Sequence, residues 1–583
     1  MCGIIGVASK QKDAVQKALY SLKLLEYRGY DSAGIAYLDN GKIEIKKGAG
    51  KIDEVFKKFN VLALKSSVTI GHTRWATHGS VNDKNAHPIT DCNGKVAVVH
   101  NGTISNFLSI KEELQSKGHK FATETDTEVI PHIFEESLNE NSFIAFKNTV
   151  SKLRDSYAIL MIIEGENRIY FAKCDNPLVI GLSKEGNFIS SDVQSLSPYT
   201  NEFVILKDGD VGYISSDDIY IENSGIKVDI KKRKKIVKMN NYSLGKEEYA
   251  HYMLKEIHES GKAAQLTVTH LSKERGFEKA IDKINSYNRI IITGSGSSYH
   301  SGLFFSLLLQ RSGYNAQALI SSEYYNLKLS SKDLVIAISQ SGETLDVIKA
   351  VKKFKEEGAF SISLTNTEAN ALSRISNINL HTYAGPEIGV AATKTFTAQI
   401  SAFMLLYKRL VNADYSNLSN ISNAINLGLS HEKDAISIGK ELAEHRNIYF
   451  LGRGIDLPLA LEGALKVKEV SYVHAEGYPA GESKHGPIAL VYPGFPVVFI
   501  KSERLTEEIK NNVKEMEARG AITYALSANT TIGARKELII AQDDELSIFS
   551  LLPIIQLIAY YSAIAKGIDP DKPRNLAKTV TVE

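Results

Sequence analysis

The feature that most restricts the fold is a rhythm that appears twice in the second half of the chain. An apolar run ends on a turn of glycines and hydroxyl residues, and a helical pattern follows. Arg289-Ile290-Ile291-Ile292 runs into Gly294-Ser295-Gly296, Leu334-Val335-Ile336-Ala337-Ile338 into Ser339-Gln340-Ser341-Gly342, and Phe360-Ser361-Ile362-Ser363-Leu364 into Thr365-Asn366. Such strand, turn, helix succession predicts an α/β doubly wound parallel sheet. The same succession returns at Asn447–Leu451, Pro496–Ile500 and Ile522–Leu526, each about 160 residues after its counterpart, the mark of two copies of one α/β domain.

The first 225 residues have a different texture. Short strand-like runs such as Val96-Ala97-Val98-Val99 and Tyr157–Ile163 are separated by turns and interrupted by helical patterns at Lys12–Leu25 and near Ile110–Lys117, which predicts an α+β domain. A basic run, Lys227–Lys238, leads to a long helical pattern from Lys246. The expected division is therefore 1–225, a linker 226–245, a first α/β domain 246–425, a second 426–573 and a tail 574–583. A chain of 583 residues accommodates roughly three or four domains.

Lys+Arg is 69 against Asp+Glu 67, a net charge of +2 that carries no footprint for nucleic acid and points to small-molecule partners. The three cysteines are far apart with no C-x-x-C, which disfavours a disulfide framework or a thiolate zinc site and fits a reducing cytoplasm. The opening Met1–Ala8 lacks the features of an export signal. Leu546–Ala565 is uncharged over 20 residues, but its serines, tyrosines, Pro553 and Gln556 suit a buried helix better than a lipid span.

Chemistry enters at Cys2. If Met1 is removed, thiol and free α-amine share one residue, and an amine titrating near 7.7–8.0 can take the thiol proton without a histidine. An ordinary buried cysteine is the competing reading. Gly71–Gly79 places Arg74 beside hydroxyls and Trp75 in a loop after a strand, where a guanidinium can hold an α-carboxylate. Asn101-Gly102 can aim a side-chain and a backbone N–H at an oxyanion, and Glu124–Glu128 supplies carboxylates for a substrate ammonium. Each segment has a plainer alternative, since Asn-Gly is a turn signal and a Thr-rich acidic run a helix cap.

Together with Leu25–Gly34, these segments resemble the N-terminal-nucleophile glutaminase domain of class II amidotransferases over about the first 220 residues. The resemblance implies Cys2 as nucleophile and base, Arg74, Thr77, His78 and Asp126 as glutamine ligands, Asn101 with Gly102 as oxyanion hole, and Trp75 as a gate for ammonia. His72, His78, His87 and His100 show no metal-ligand spacing, and no metal is expected.

In the second half, Gly294–Tyr299 and Ser339–Thr344 offer hydroxyls and backbone N–H groups at strand ends, suited either to a phosphate or to simple helix capping. Neither a dinucleotide fingerprint nor a P-loop is present. Leu461–Val470 is a helical pattern with Lys466, Lys468 and Glu469 spaced too closely to share one face fully, and a solvated charged face is its plain reading. Ala480–Pro487 is a loop around His485, which can titrate near neutrality. The tail Pro573–Glu583 would ordinarily be a frayed end.

The turns resemble those of sugar isomerase domains. With the ending Asn575–Glu583, the whole chain resembles the glutamine:fructose-6-phosphate aminotransferase (isomerizing) family. That implies L-glutamine and D-fructose 6-phosphate as substrates, D-glucosamine 6-phosphate and L-glutamate as products, ammonia passed between two sites, no cofactor and a homodimer. Carried over by position, Ser295, Gly296, Ser297, Ser298, Ser339, Gln340, Ser341, Thr344 and Val390 bind the phosphosugar. His485 assists ring opening, Glu469 moves a proton between C1 and C2, Lys578 forms the Schiff base, and Lys466 assists. Ser295, Ala392 and Asp155-Ser156 depart from the usual Cys, Ser and Gly-Ala. The rival reading, another class II amidotransferase with a different phosphosugar acceptor, lacks the acidic phosphoribosyl-diphosphate loop it needs.

Overall fold

The computed structural model describes residues 2–75, 79–137, 141–236, 245–368, 370–502, 506–542 and 545–580. The chain forms two compact units, Met1–Asn241 with Ala577–Glu583, and Tyr242–Leu576.

In the first unit the period-2 pattern of the strands sorts side chains into layers. An eight-stranded antiparallel sheet has Gly3–Ser9 near its middle, between Gly186–Ser190 and Val68–Arg74. Ile4 and Ala8 point to one face and meet Ala97, Val99 and Leu160 of a seven-stranded antiparallel sheet. Ile5 and Val7 point to the other and pack on Ala14, Val15, Ala18 and Leu22 of the Ala14–Leu25 helix. Val96 and Val98 of the second sheet face outward under Val129, Ile130 and Phe134. The result is a four-layer αββα sandwich, an α+β arrangement.

Helices Val129–Glu135 and Ser142–Ser151 add to the two read from the sequence. Both are short, and their apolar faces are buried, so packing sustains them more than propensity does. Part of the basic run is built in. Lys234–Ile236 pairs as an edge strand with Glu202–Val204, and Arg233 is ion-paired with the buried Asp210. The pattern from Lys246 becomes two helices, Tyr252–His258 and Ser260–Leu271.

The second unit contains two five-stranded parallel sheets. One has the spatial order Ala316–Ile320, Arg289–Gly294, Asp333–Ser339, Phe360–Thr365, Ile378–His381. The other has His474–Pro479, Asn447–Gly452, Pro496–Lys501, Ile522–Ala528, Lys536–Ile540. Both follow the order 2-1-3-4-5, so the repeat read from strand rhythm is a repeat of topology. One continuous apolar core holds residues of both copies, including Phe304, Phe403, Ala464 and Ile555.

The Ser547–Ala565 helix is long and apolar enough to cross a membrane, but 83% of its apolar window is buried, and it packs on helices Ile421–Leu429, Glu432–Ala443 and Leu457–Ser471. The unit's two ends also meet. The Asp571 carboxylate accepts the backbone N–H groups of Tyr252 and Met253, each at 2.8 Å, capping the Tyr252–His258 helix.

Candidate active sites

Cys2 lies at the entry of the central Gly3–Ser9 strand, and its neighbours come from adjoining strand ends. The Trp75 backbone N–H donates to Cys2 Sγ at 3.3 Å, just after the Val68–Arg74 strand. Asn101 Nδ2, on the Val96–Gly102 strand of the other sheet, donates to the Cys2 carbonyl at 2.8 Å. Burial pushes the Cys2 thiol above its ordinary value, and the Trp75 N–H and the Arg74 charge pull it partly back. Thiolate formation at Cys2 therefore needs a base at hand.

Gly29 and Gly102 make this corner possible. A Cβ on Gly29 would lie 2.6 Å from the Arg74 carbonyl carbon and from Trp75 N, so the Leu25–Gly34 segment can press directly on the Arg74–Trp75 peptide. Gly102 has φ +122, and a Cβ there would meet the Ser156 carbonyl oxygen at 2.0 Å. The buried Arg28 also holds this segment, through an ion pair at 2.7 Å with the largely buried Asp192.

Arg74 is buried, and its Nη atoms reach the Ser80 and Gly79 carbonyls only at 3.5 and 3.4 Å. Asp126 is buried, and its Oδ2 accepts the Ile104 N–H at 2.9 Å. Thr77 and His78 lie outside the described residues. Three further histidines form a buried group. His72 and His87 stack at 4.3 Å between ring centroids, and His87 and His100 both contact the Thr127 hydroxyl at 2.9 Å. Burial, and then Arg74, lower His72 to about 3; burial and His72 hold His87 well below its ordinary value. His72 and His87 are therefore neutral packing elements, and His87 and His100 meet at Thr127, next in sequence to Asp126.

In the second unit the two serine-rich turns stand at the carboxyl ends of adjacent strands, Arg289–Gly294 and Asp333–Ser339, where the strand order reverses. Open α/β sheets bind ligands there. Gly296, at φ +56, caps the Ser297–Arg311 helix, and Thr344 caps the Leu345–Glu356 helix, so two helix N-termini serve the same end of the sheet. The turn Ser339–Thr344 is tightly knit. Ser339 Oγ accepts the Gly342 N–H and lies 3.0 Å from the Thr344 hydroxyl, Ser341 Oγ accepts the Glu343 N–H, and the Gln340 carbonyl accepts the Asn366 N–H. The Ser298 hydroxyl accepts from Gln399, and the Val390 N–H donates to the Asp571 carbonyl.

Lys466 and Glu469 do share a face of the Leu457–Ser471 helix, being one turn apart, with Lys466 Nζ 2.6 Å from Glu469 Oε2; Lys468 points outward and is exposed. Glu462 was not singled out by sequence reading. It is 1% exposed, lies 3.4 Å from Lys466, and accepts from the Ser297 hydroxyl and His300 Nδ1, each at 2.8 Å. The available signal was a carboxylate one turn before Lys466 and two turns before Glu469, on the same face of the helix. Burial alone would raise the Glu462 carboxyl, but Lys466, His300 and Ser297 hold it below the ordinary carboxylate value. His485 lies on an exposed turn, Glu482–His485, and Lys578 is half-buried in the tail that groups with the first unit.

Comparison with known proteins agrees with both halves. The glutamine amidotransferase domain model matches residues 59–215, and the SIS domain model matches twice, at 283–409 and 441–565. The glutamine-fructose-6-phosphate aminotransferases (isomerizing) of Sulfolobus acidocaldarius and Sulfurisphaera tokodaii are each 49% identical to this chain over the full length of both proteins. Among solved structures, the C-terminal domain of glucosamine-fructose-6-phosphate aminotransferase from Francisella tularensis matches 56% of this chain with all of its own length, at 31% identity and TM-score 0.53. A class II glutaminase fold followed by duplicated sugar isomerase domains, with full-length relatives at this identity, places the chain in the glutamine-fructose-6-phosphate aminotransferase (isomerizing) family.

Proposed function

We propose that the chain converts L-glutamine and D-fructose 6-phosphate into L-glutamate and D-glucosamine 6-phosphate, the entry reaction of amino-sugar nucleotide synthesis. The observation that carries the glutaminase half is the Asn101 side chain seated on Cys2. An amide nitrogen has two protons, so Asn101 Nδ2 can hold the Cys2 carbonyl with one and offer the other, beside the Gly102 N–H, to an oxyanion. With Met1 removed, the Cys2 amine takes the thiol proton and the thiolate attacks the glutamine side-chain carbonyl. Collapse of the oxyanion expels ammonia, protonated in leaving, and water then cleaves the thioester to glutamate. Arg74 grips the α-carboxylate and Asp126 the ammonium, with Thr77 and His78 completing the glutamine site and Trp75 gating ammonia.

At the sugar site, the turns at 295–298 and 339–344, with Val390, hold the phosphosugar. His485 assists ring opening, Lys578 condenses with the open-chain ketone, and Glu469 carries one proton between C1 and C2 with Lys466 beside it. The exposure of His485 on its own chain supports a homodimer in which it serves the partner's site. A cytoplasmic enzyme fits these soluble metabolites.

Purified protein incubated with glutamine and fructose 6-phosphate is expected to yield glucosamine 6-phosphate by mass spectrometry. Cys2→Ala should abolish glutamate release while leaving sugar-phosphate isomerisation. Glutamate formed without any amino sugar would remove the acceptor assignment.

A further inference from the structure

Away from both sites, four side chains on three segments of the first unit converge on one point. Cys92 lies in the turn between strands Ile89–Thr90 and Val96–Gly102, His119 in the loop after the Phe107–Ser116 helix, and His132 and Glu135 on the Val129–Glu135 helix. Cys92 Sγ is 3.7 Å from His119 Nδ1 and 3.5 Å from His132 Nδ1. The two Nδ1 atoms are 3.3 Å apart, and Glu135 Oε2 is 3.1 Å from one and 3.3 Å from the other.

These are five of the six edges of a coordination tetrahedron, and the sixth, from Cys92 Sγ to the Glu135 carboxylate, lies within 4.8 Å. Zinc bonds of about 2.0–2.1 Å to nitrogen or oxygen and about 2.3 Å to sulfur give edges of about 3.3 Å between N/O ligands and about 3.6 Å between nitrogen and sulfur. His119 Nε2 faces Glu136 Oε1 at 3.1 Å, an outer acceptor that can take the ring proton and leave Nδ1 as an inward lone pair, and Glu128 Oε1 lies 3.7 Å from His132 Nε2 on the corresponding side. In the tautomer with both ring protons on Nε2, two nitrogen lone pairs, a carboxylate oxygen and a sulfur face one another, the donor set a zinc ion takes.

The surroundings are those of a metal centre. Each histidine has an outer carboxylate, the Lys120 N–H points at Cys92 Sγ from 3.5 Å, and Asn93 Nδ2 binds Glu135 Oε1 at 2.7 Å, leaving Oε2 to face inward. We propose that Cys92, His119, His132 and Glu135 bind a zinc ion. On binding, the Cys92 thiol gives up its proton, and thiolate and carboxylate together neutralise the dication. Four protein ligands leave no open position, so the ion is structural. It fastens the stretch between His119 and His132, which carries Asp126, to the Cys92 turn. Glu128, behind His132, also holds the Ala122 and Thr123 N–H groups, at 2.6 and 2.7 Å. The spacing rules that disfavoured a thiolate zinc site see only ligands close in sequence, whereas these are gathered by tertiary structure.

The test uses the full chain carrying Cys2→Ala, so that the nucleophile cannot bind metal. Protein grown with zinc is expected to hold one zinc per chain by elemental analysis. After chelation, Co²⁺ should produce a thiolate-to-cobalt band in the near ultraviolet and the intense visible bands of a tetrahedral site. Both signals should vanish with Cys92→Ser and persist with Cys174→Ser. Glu136→Gln, which leaves all four ligands, should weaken binding about 10-fold to 100-fold. Folded protein that takes up neither metal, or a cobalt spectrum unchanged by Cys92→Ser, overturns the proposal.

Discussion

Glu462, on the second copy of the α/β repeat, accepts the hydroxyl proton of Ser297, on the first, at 2.8 Å. One carboxylate thereby fixes the serine-rich turn of one sheet to the helix that carries Lys466 and Glu469 in the other. Replacing Glu462 by Ala removes one of the two carboxylates paired with the buried Lys466, leaves Glu469, and frees the turn, at a cost below that of a fully unpaired buried charge, about 3–5 kcal/mol. Glu462→Gln keeps the shape and costs less. In both, fructose-6-phosphate turnover should fall while glutamine hydrolysis, assayed as glutamate release, is retained. Equal loss of the two activities would assign Glu462 to general stability alone.

Gly102 combines positive φ with a backbone carbonyl where a side chain would begin. Gly102→Ala must displace either Ser156 or its own N–H, and misplacing one oxyanion donor costs about 100-fold to 1000-fold in turnover. Glutaminase kcat should drop by that range with a smaller change in KM, measured by steady-state glutamate release.

The neutral histidine stack gives the first unit a defined acid limit. Unfolded histidine takes a proton at about 6.5, whereas folded His72 does so only at about 3 and His87 well below its ordinary value. The unfolded chain therefore binds protons first as pH falls. Stability is full above about 6.5 and declines toward pH 3 by about 1.4 kcal/mol per pH unit for each histidine. Denaturant unfolding followed by the single tryptophan, Trp75, at pH 7 and pH 5 reads this slope directly. A midpoint that does not move would show the histidines to be solvated.

Asp155 occupies φ +90, in the region that favours glycine, one residue before the Ser156 carbonyl that bounds Gly102. Asp155→Gly relieves about 1–2 kcal/mol of backbone strain and loses part of it to the freer unfolded chain. A net gain of up to about 1 kcal/mol should appear as a higher midpoint in thermal unfolding, with glutaminase activity unchanged.

How far the sequence foretells this molecule depends on how local the determinant is. The six strands named in the repeat were readable because each is a short run rich in apolar, aromatic or β-branched residues closed by a polar turn. The strand-end placement of Cys2, Arg74 and Asn101 was readable because each belongs to a compact motif that follows or opens an apolar run. Glu462 and the Cys92 cluster were not, since their meaning arises only when segments far apart in sequence are packed together. The short helices Val129–Glu135 and Ser142–Ser151 escaped for a related reason. Their helical state rests on the sheet beneath them.

The clasp between Asp571 and the Tyr252–Met253 N–H groups has a consequence for how the second unit can be cut and rejoined. A unit whose ends meet is a closed loop in connectivity, so a short glycine-serine bridge from the end to the start would cost little, and new termini could be opened in an exposed turn elsewhere. Trimming the chain before Ser547 is the opposite case. It removes both the clasp and the apolar helix under it, baring the faces of three helices to water and leaving a fragment prone to precipitation.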